Sequence, residues 1–101
     1  MKKNLNRPRN LELYDAILTL KTPEECLKFF DDLCSVTEIR AMEQRFQVAQ
    51  LLNRGMIYSD IQEITGASSA TISRVNRSLQ YGADGYETVF ERMEQNKSEQ
   101  V

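Results

Sequence analysis

The chain has 101 residues, 41% of them apolar and 28% charged, and its formal net charge is −2, which fits one small globular domain. No stretch is long or apolar enough to span a membrane, and no signal peptide follows the basic N-terminus, so we expect a cytoplasmic protein. With no histidine and only two cysteines, one chain cannot assemble a zinc site or a Cys–His nucleophile, so we expect no metal, no cofactor and no enzymatic activity.

The first half of the chain predicts three helices. The first covers residues 11–20, and its apolar residues spread over an arc too wide for one neighbouring helix to cover. The third ends at Arg54, before Gly55. The second and third helices each begin at a capping box, in which a hydroxyl residue pairs with a glutamate three positions later: Thr22 with Glu25, and Ser35 with Glu38.

Residues 58–79 carry the most informative pattern, YSDIQEITGASSATISRVNRSL. We expect Ser59 to cap a short helix whose apolar residues, Ile61 and Ile64, face inward. Gly66 permits the positive φ angle that ends this helix in a sharp turn.

After the turn, Ser68 caps a second helix over residues 69–80. Three apolar residues at positions i, i+3 and i+7 form its buried stripe: Ile72, Val75 and Leu79. Helix, tight turn and helix in this order predict a helix-turn-helix over residues 59–80, although ordinary helical hairpins share the same order.

The other face of this second helix is polar and carries no acidic residue, so nothing on it repels a phosphate backbone. Short side chains at its N-terminal end let the backbone approach base edges, while arginines and hydroxyls hold phosphates. This chemistry predicts a DNA-recognition helix. The candidate DNA-binding residues are Gln62 in the first helix of the motif, followed by Ser68, Ser69, Ala70, Thr71, Ser73, Arg74, Asn76 and Arg77.

A last helix is predicted over residues 83–95, with an apolar stripe of Tyr86, Val89, Phe90 and Met93. The predicted fold is therefore all-α with about six helices. We expect residues 1–10 to form a flexible basic arm, 11–95 a single helical DNA-binding domain, and 96–101 a disordered tail. The apolar faces are broader than one chain of this size can cover, which predicts a homodimer. Two recognition helices related by a twofold axis would read a palindromic operator in double-stranded DNA.

Two segments resemble the Trp repressor superfamily, and more closely a bacterial branch of Trp-repressor-like proteins: LLNRG at 51–55 and GASSATISRVNRSL at 66–79. Within the second segment, Ala-Thr-Ile-Ser-Arg is the most specific stretch, and the match covers about residues 11–93. The resemblance implies an intertwined, all-helical homodimer with two DNA-reading heads that acts as a transcriptional regulator. Repression, rather than activation, is expected on this resemblance alone.

The resemblance also implies a candidate effector site formed by Arg45, Arg74 and Ser78. In the Trp repressor pattern, arginines matching Arg45 and Arg74 enclose the amino-acid corepressor, and a glycine follows the second arginine. This chain has Val75 at that position, a branched side chain where the family leaves room for the indole ring. We therefore expect an effector that is smaller than tryptophan or different from it, or regulation without a corepressor.

Two alternatives stay open. The chain is either a sequence-specific transcriptional regulator, which the acid-free helix favours, or a dimeric interaction module that docks its helix-turn-helix on another protein. The basic arm, residues 1–10, either contacts DNA phosphates or is a solvated terminus without a specific role.

Overall fold

The computed structural model describes residues 7–99, and every regular element in this range is an α-helix. The helices are α1 (Leu11–Ile17), α2 (Pro23–Leu33), α3 (Val36–Asn53), α4 (Tyr58–Thr65), α5 (Ser69–Tyr81) and α6 (Gly85–Glu99). The prediction of an all-α fold with six helices is confirmed. The described chain divides into two compact units, residues 7–43 and residues 44–99, and α3 passes from the first into the second.

In the first unit, both predicted capping boxes are present. The Thr22 hydroxyl accepts the Glu25 N–H at 3.1 Å, and the Glu25 carboxylate accepts the N–H of Lys21, one residue before the cap, at 2.8 Å. At the start of α3 the exchange is reciprocal, with Glu38 N–H to the Ser35 hydroxyl at 3.1 Å and Ser35 N–H to the Glu38 carboxylate at 2.8 Å. The hydrogen bonds from Ser35 lower the pKa of Glu38, because they favour its charged form.

The helix α1 ends at Ile17, three residues earlier than predicted. The cause is local, since the hydroxyl of Thr19 donates to the Ala16 carbonyl at 2.6 Å and so satisfies one of the last carbonyls of the helix. Neither α1 nor α2 contains a buried residue, and Leu18 is 82% exposed. The wide apolar arc predicted for the first helix is therefore only partly covered within one chain, and Leu11, Tyr14 and Leu18 are exposed.

The buried core lies in the second unit. Its most completely buried large side chains, Val48, Ile61 and Ile72, come from α3, α4 and α5 and have no solvent exposure. Each side chain of this kind contributes roughly 1.5–3 kcal/mol by leaving water. The helix α6 closes the unit through an aromatic cluster whose ring centroids lie 5.7 to 6.5 Å apart: Phe46, Tyr86 and Phe90.

Two details of the predicted α4 are wrong. Ser59 does not cap this helix, because α4 begins at Tyr58 after Ile57, which supplies no side-chain hydrogen bond. Ile64 does not face inward but is 55% exposed, whereas Ile61 is fully buried. The helix has only eight residues, and the core reaches Ile61 near its centre but not Ile64.

The helix α6 begins two residues later than predicted and continues to Glu99, so residues 96–99 of the predicted tail are helical. Its stripe is only partly covered, since Tyr86 and Phe90 are half-buried while Val89 and Met93 are exposed. Residues 100–101 of the predicted tail, and residues 1–6 of the predicted arm, lie outside the described residues. From residue 7 to residue 99, no helix has the length and hydropathy needed to cross a bilayer.

Candidate nucleic-acid interface

The turn between α4 and α5 is fixed by its own hydrogen bonds. Gly66 adopts a left-handed φ of 72° and donates its N–H to the Gln62 carbonyl at 2.9 Å, which ends α4. The Thr65 hydroxyl donates to the Ile61 carbonyl at 2.7 Å and accepts the Ala67 N–H at 3.1 Å. Ala67 is buried, so the turn is also fastened to the core.

The predicted cap of the second helix is confirmed. The hydroxyl of Ser68 accepts the Thr71 N–H at 3.1 Å and lies 3.1 Å from the Thr71 hydroxyl, to which it donates. The first turn of α5 carries no acidic residue. Its outward N–H groups and the positive end of the helix dipole therefore favour an approaching phosphate.

A continuous polar strip runs along the exposed side of α5. Ala70, Ser73, Arg74 and Arg77 follow each other at i, i+3, i+4 and i+7, and all four are exposed. Ile72 and Val75, on the opposite side, are buried and hold the helix to the core. Of the remaining candidates, Ser69 and Gln62 are also exposed. We call Ser69, Ala70, Ser73, Arg74 and Arg77 the α5 strip.

Thr71 and Asn76 lie at the edges of the α5 strip, and both are half-buried. Asn76 lines an open groove of about 920 Å³ whose opposite wall carries three carboxylates of α6: Glu87, Glu91 and Glu94. Three apolar side chains, Leu52, Leu79 and Phe90, and two further polar ones, Asn53 and Gln95, complete the lining of the groove. Three acidic residues of this unit therefore lie beside α5, and none lies on it.

Neither arginine of the α5 strip, Arg74 or Arg77, forms an ion pair in the part of the chain that the structure describes. Both guanidinium groups are therefore available to an anionic partner. Arginine is suited to this role because its planar group donates two parallel hydrogen bonds to a phosphate or to a guanine edge.

The three residues of the candidate effector site are not gathered in one groove of the described chain. Arg45 and Arg74 are exposed, whereas Ser78 is half-buried and lines an apolar groove of about 390 Å³ with Phe46 and Tyr86, which neither arginine lines. Val75 is only 3% exposed and belongs to the buried core. The valine side chain thus fills space inside the second unit, residues 44–99, which carries the helix-turn-helix and is called the head below.

Sequence reasoning missed one residue that contacts the motif. The side-chain amide of Gln44, in α3, donates to the carbonyl of Thr65, the last residue of α4, at 3.2 Å. A signal for it exists in the sequence: Gln44 stands four residues before Val48 and seven before Leu51, so it is a polar residue on the buried stripe of α3. A polar side chain in such a place needs a hydrogen-bond partner.

An all-α chain with a capped, acid-free second helix after a tight turn defines the class as a helix-turn-helix protein. Comparison with protein families gives the same result, since the model of the Trp repressor protein matches residues 10–94. The chain belongs to the Trp repressor family, which is a family of DNA-binding regulators.

Three relatives illustrate the similarity. The chain is 49% identical over 88 residues to the uncharacterized protein YerC of Bacillus subtilis strain 168. This alignment covers 87% of this chain and 85% of YerC. A crystal structure of a TrpR-like protein from Eubacterium eligens is 55% identical, with a TM-score of 0.80 and coverage of 82% and 86% of the two chains. A candidate Trp repressor of Staphylococcus aureus is likewise 55% identical, with a TM-score of 0.79 and coverage of 82% and 83%. The resemblance seen in the sequence is confirmed.

Proposed function

We propose that the protein is a sequence-specific transcriptional regulator that binds a palindromic operator as a homodimer and represses by occluding it. The observation that carries the proposal is the α5 strip, which is exposed, free of acidic residues and supplied with two unpaired arginines. A helix of this kind, presented after a tight turn, is what the major groove of DNA accepts.

Within this proposal the residues of the α5 strip have two different roles in DNA binding. Arg74 and Arg77, with Thr71 at the edge, contact phosphates or guanine edges, while Ser69 and Ala70 lie near the bases because their short side chains allow a close approach. Removing Arg74 is expected to cost on the order of 1–3 kcal/mol of operator binding.

The dimer is supported by the first unit. In residues 7–43 no side chain is buried, and large apolar side chains such as Leu11, Leu18 and Leu27 are 57% to 82% exposed. An apolar surface of this extent is rare on a monomer and typical of a face that a partner covers. Analytical ultracentrifugation should therefore give a dimer at micromolar concentration, and a monomer there would overturn this part of the proposal.

Tryptophan is not the effector in this proposal. The buried Val75 supports this view, because it occupies volume in the head that the family pattern leaves to the corepressor. Either a smaller or different molecule binds between Arg45 and Arg74, or no corepressor is needed. Calorimetric titration with tryptophan should show no micromolar binding, and micromolar affinity would contradict the proposal.

The main experiment is recovery of genomic DNA fragments by the purified protein at roughly 0.15 M salt, where non-specific phosphate binding is weak. Arg74→Ala is the test variant. Arg92→Ala is its matched control, because Arg92 is an exposed arginine of α6 and its loss changes the net charge equally. We expect enrichment of a palindromic site by the wild type and by Arg92→Ala, and its loss in Arg74→Ala. Equal enrichment by both variants would refute the assignment of Arg74.

A second candidate function is docking of the helix-turn-helix on another protein. Two exposed apolar side chains of the head favour it, Ile57 at 63% and Ile64 at 55% exposure. Recovery of no DNA by the wild type, both alone and with a cell extract that supplies small-molecule effectors, would select this candidate. Replacement of both isoleucines by serine should then abolish partner binding without unfolding the head.

A further inference from the structure

Within residues 7–99, one side-chain hydrogen bond joins the helix-turn-helix to α3. The Gln44 amide of α3 donates to the Thr65 carbonyl across 21 positions of the sequence. The capping and turn hydrogen bonds described above, in contrast, join residues no more than four positions apart. The bond is partly buried, so water competes with it less than at an exposed site.

The acceptor of this bond stands at the junction of the motif. The Thr65 carbonyl belongs to the last turn of α4, where a helix has no partner of its own for its carbonyls. The Thr65 hydroxyl is hydrogen-bonded to both Ile61 and Ala67. Ser68, which follows Ala67 in the chain, caps α5. A hydrogen bond that fixes the position of Thr65 therefore also restrains the position of the first turn of α5.

Apolar packing alone does not fix the position of α5 in this way. Ile61, Ala67 and Ile72 fix how closely the motif approaches α3, but apolar contact is not directional and permits small sliding movements. A hydrogen bond is directional and weakens steeply when its angle or length departs from the favoured range. Contacts to base edges depend on the same narrow range, so a small shift of α5 relative to α3 costs affinity.

We propose that Gln44 is a positioning residue for DNA recognition: its amide sets the position of the turn, and hence of the α5 strip, relative to α3. The proposal rests on the proposed DNA-binding function. Gln44 itself touches no DNA in this arrangement, and its effect passes through Thr65 and the turn.

The test compares Gln44→Glu with Gln47→Glu. Both variants place the same carboxylate on α3, but the side chain of Gln47 is exposed and forms no hydrogen bond in the described structure. At pH 7.5 an ionised carboxylate at position 44 has no proton to donate and faces the Thr65 carbonyl with a negative charge. We expect operator binding, measured by fluorescence anisotropy, to weaken roughly 5- to 30-fold for Gln44→Glu relative to Gln47→Glu.

Lowering the pH supplies a readout that depends on the donated proton and not on the bulk of the side chain. Once protonated, the introduced carboxyl group can again donate to the Thr65 carbonyl, and its half-buried site favours that neutral form. The affinity ratio of the two variants is therefore expected to approach one as the pH falls from 7.5 towards 5. Gln44→Leu, which keeps similar bulk but never donates, should show a weakened affinity that does not recover.

Thermal unfolding of each variant establishes that it is folded at the assay temperature. Equal affinities of Gln44→Glu and Gln47→Glu, a ratio that does not change with pH, or wild-type affinity of Gln44→Leu would each overturn the role of Gln44. Failure of the wild type to bind any DNA, both alone and with a cell extract that supplies small-molecule effectors, would overturn the proposed function itself. The two failures are distinguishable because one is read on the wild type and the other on the variants.

Discussion

The junction of α5 and α6 depends on a glycine that has no room for a side chain. Gly82 is buried and donates its N–H to the Ser78 carbonyl at 3.0 Å, which closes the last turn of α5. A methyl group added at Gly82 would overlap that same carbonyl oxygen and lie 3.1 Å from its carbon. These are backbone atoms, so relief requires the end of α5 or the start of α6 to move.

The cost of Gly82→Ala follows from this geometry. Forcing extra atoms into a filled site costs typically 1–3 kcal/mol. Gly85→Ala is the matched control, because Gly85 is the first residue of α6 and an added methyl group meets nothing within 4 Å. That substitution should be neutral or should stabilise by up to about 1 kcal/mol, since alanine loses less backbone freedom than glycine in a helix.

Thermal unfolding followed by circular dichroism measures the difference. The two variants should differ by about 1–4 kcal/mol. For a domain of this size about 1 kcal/mol shifts the midpoint by 4–8 °C, so Gly82→Ala should unfold roughly 4–32 °C below Gly85→Ala. All samples need the same protein concentration, because the unfolding midpoint of the proposed dimer would depend on it. Equal midpoints for the two variants would refute the argument that the Ser78 carbonyl excludes a side chain at Gly82.

Two further predictions concern stability. Ile61→Ala should lower the free energy of unfolding, measured in urea, by about 2–5 kcal/mol, because Ile61 is fully buried. Ile64→Ala in the same helix should change it by no more than about 0.5 kcal/mol. Similar losses at both positions would contradict the burial pattern of α4. The pKa of Glu38 is lowered in the folded chain, so its carboxylate stabilises the fold above the ordinary value of 4.5, and this contribution is lost as the pH falls through the lowered pKa. The difference in midpoint between wild type and Glu38→Gln should therefore be present at neutral pH and close below pH 4.5, and a difference that persists in acid would count against this reasoning.

Local rules predicted much of the fold from the sequence. The cap at Thr22, the box of Ser35 with Glu38, and the cap at Ser68 are all formed, because each depends on residues three positions apart. The turn at Gly66 follows for the same reason, since only a local backbone conformation is required. The strip of exposed polar residues on α5 is likewise a consequence of helical periodicity.

The remaining features depend on distant contacts. Whether Ile64 or Ile61 reaches the core is decided by what α3 and α5 present to α4, and the pattern of α4 alone makes the two residues equivalent. The bond from Gln44 to Thr65 joins positions 21 apart, so no rule on neighbouring residues predicts it. The sequence showed only that a polar residue stands on a buried stripe.

The negative net charge does not argue against DNA binding, because none of the acidic residues lies on α5. The α5 strip contains two arginines and no carboxylate, while Glu87, Glu91 and Glu94 line a groove on the α6 side of α5. At physiological salt, charges in water are screened over about 8–10 Å, so a phosphate at the strip responds chiefly to the nearest side chains. In the proposed complex, the local charge of α5, and not the total of −2, therefore governs its contact with DNA. The carboxylates of α6 would oppose binding of a phosphate backbone along the adjacent groove, so they would favour one orientation of the protein on the duplex.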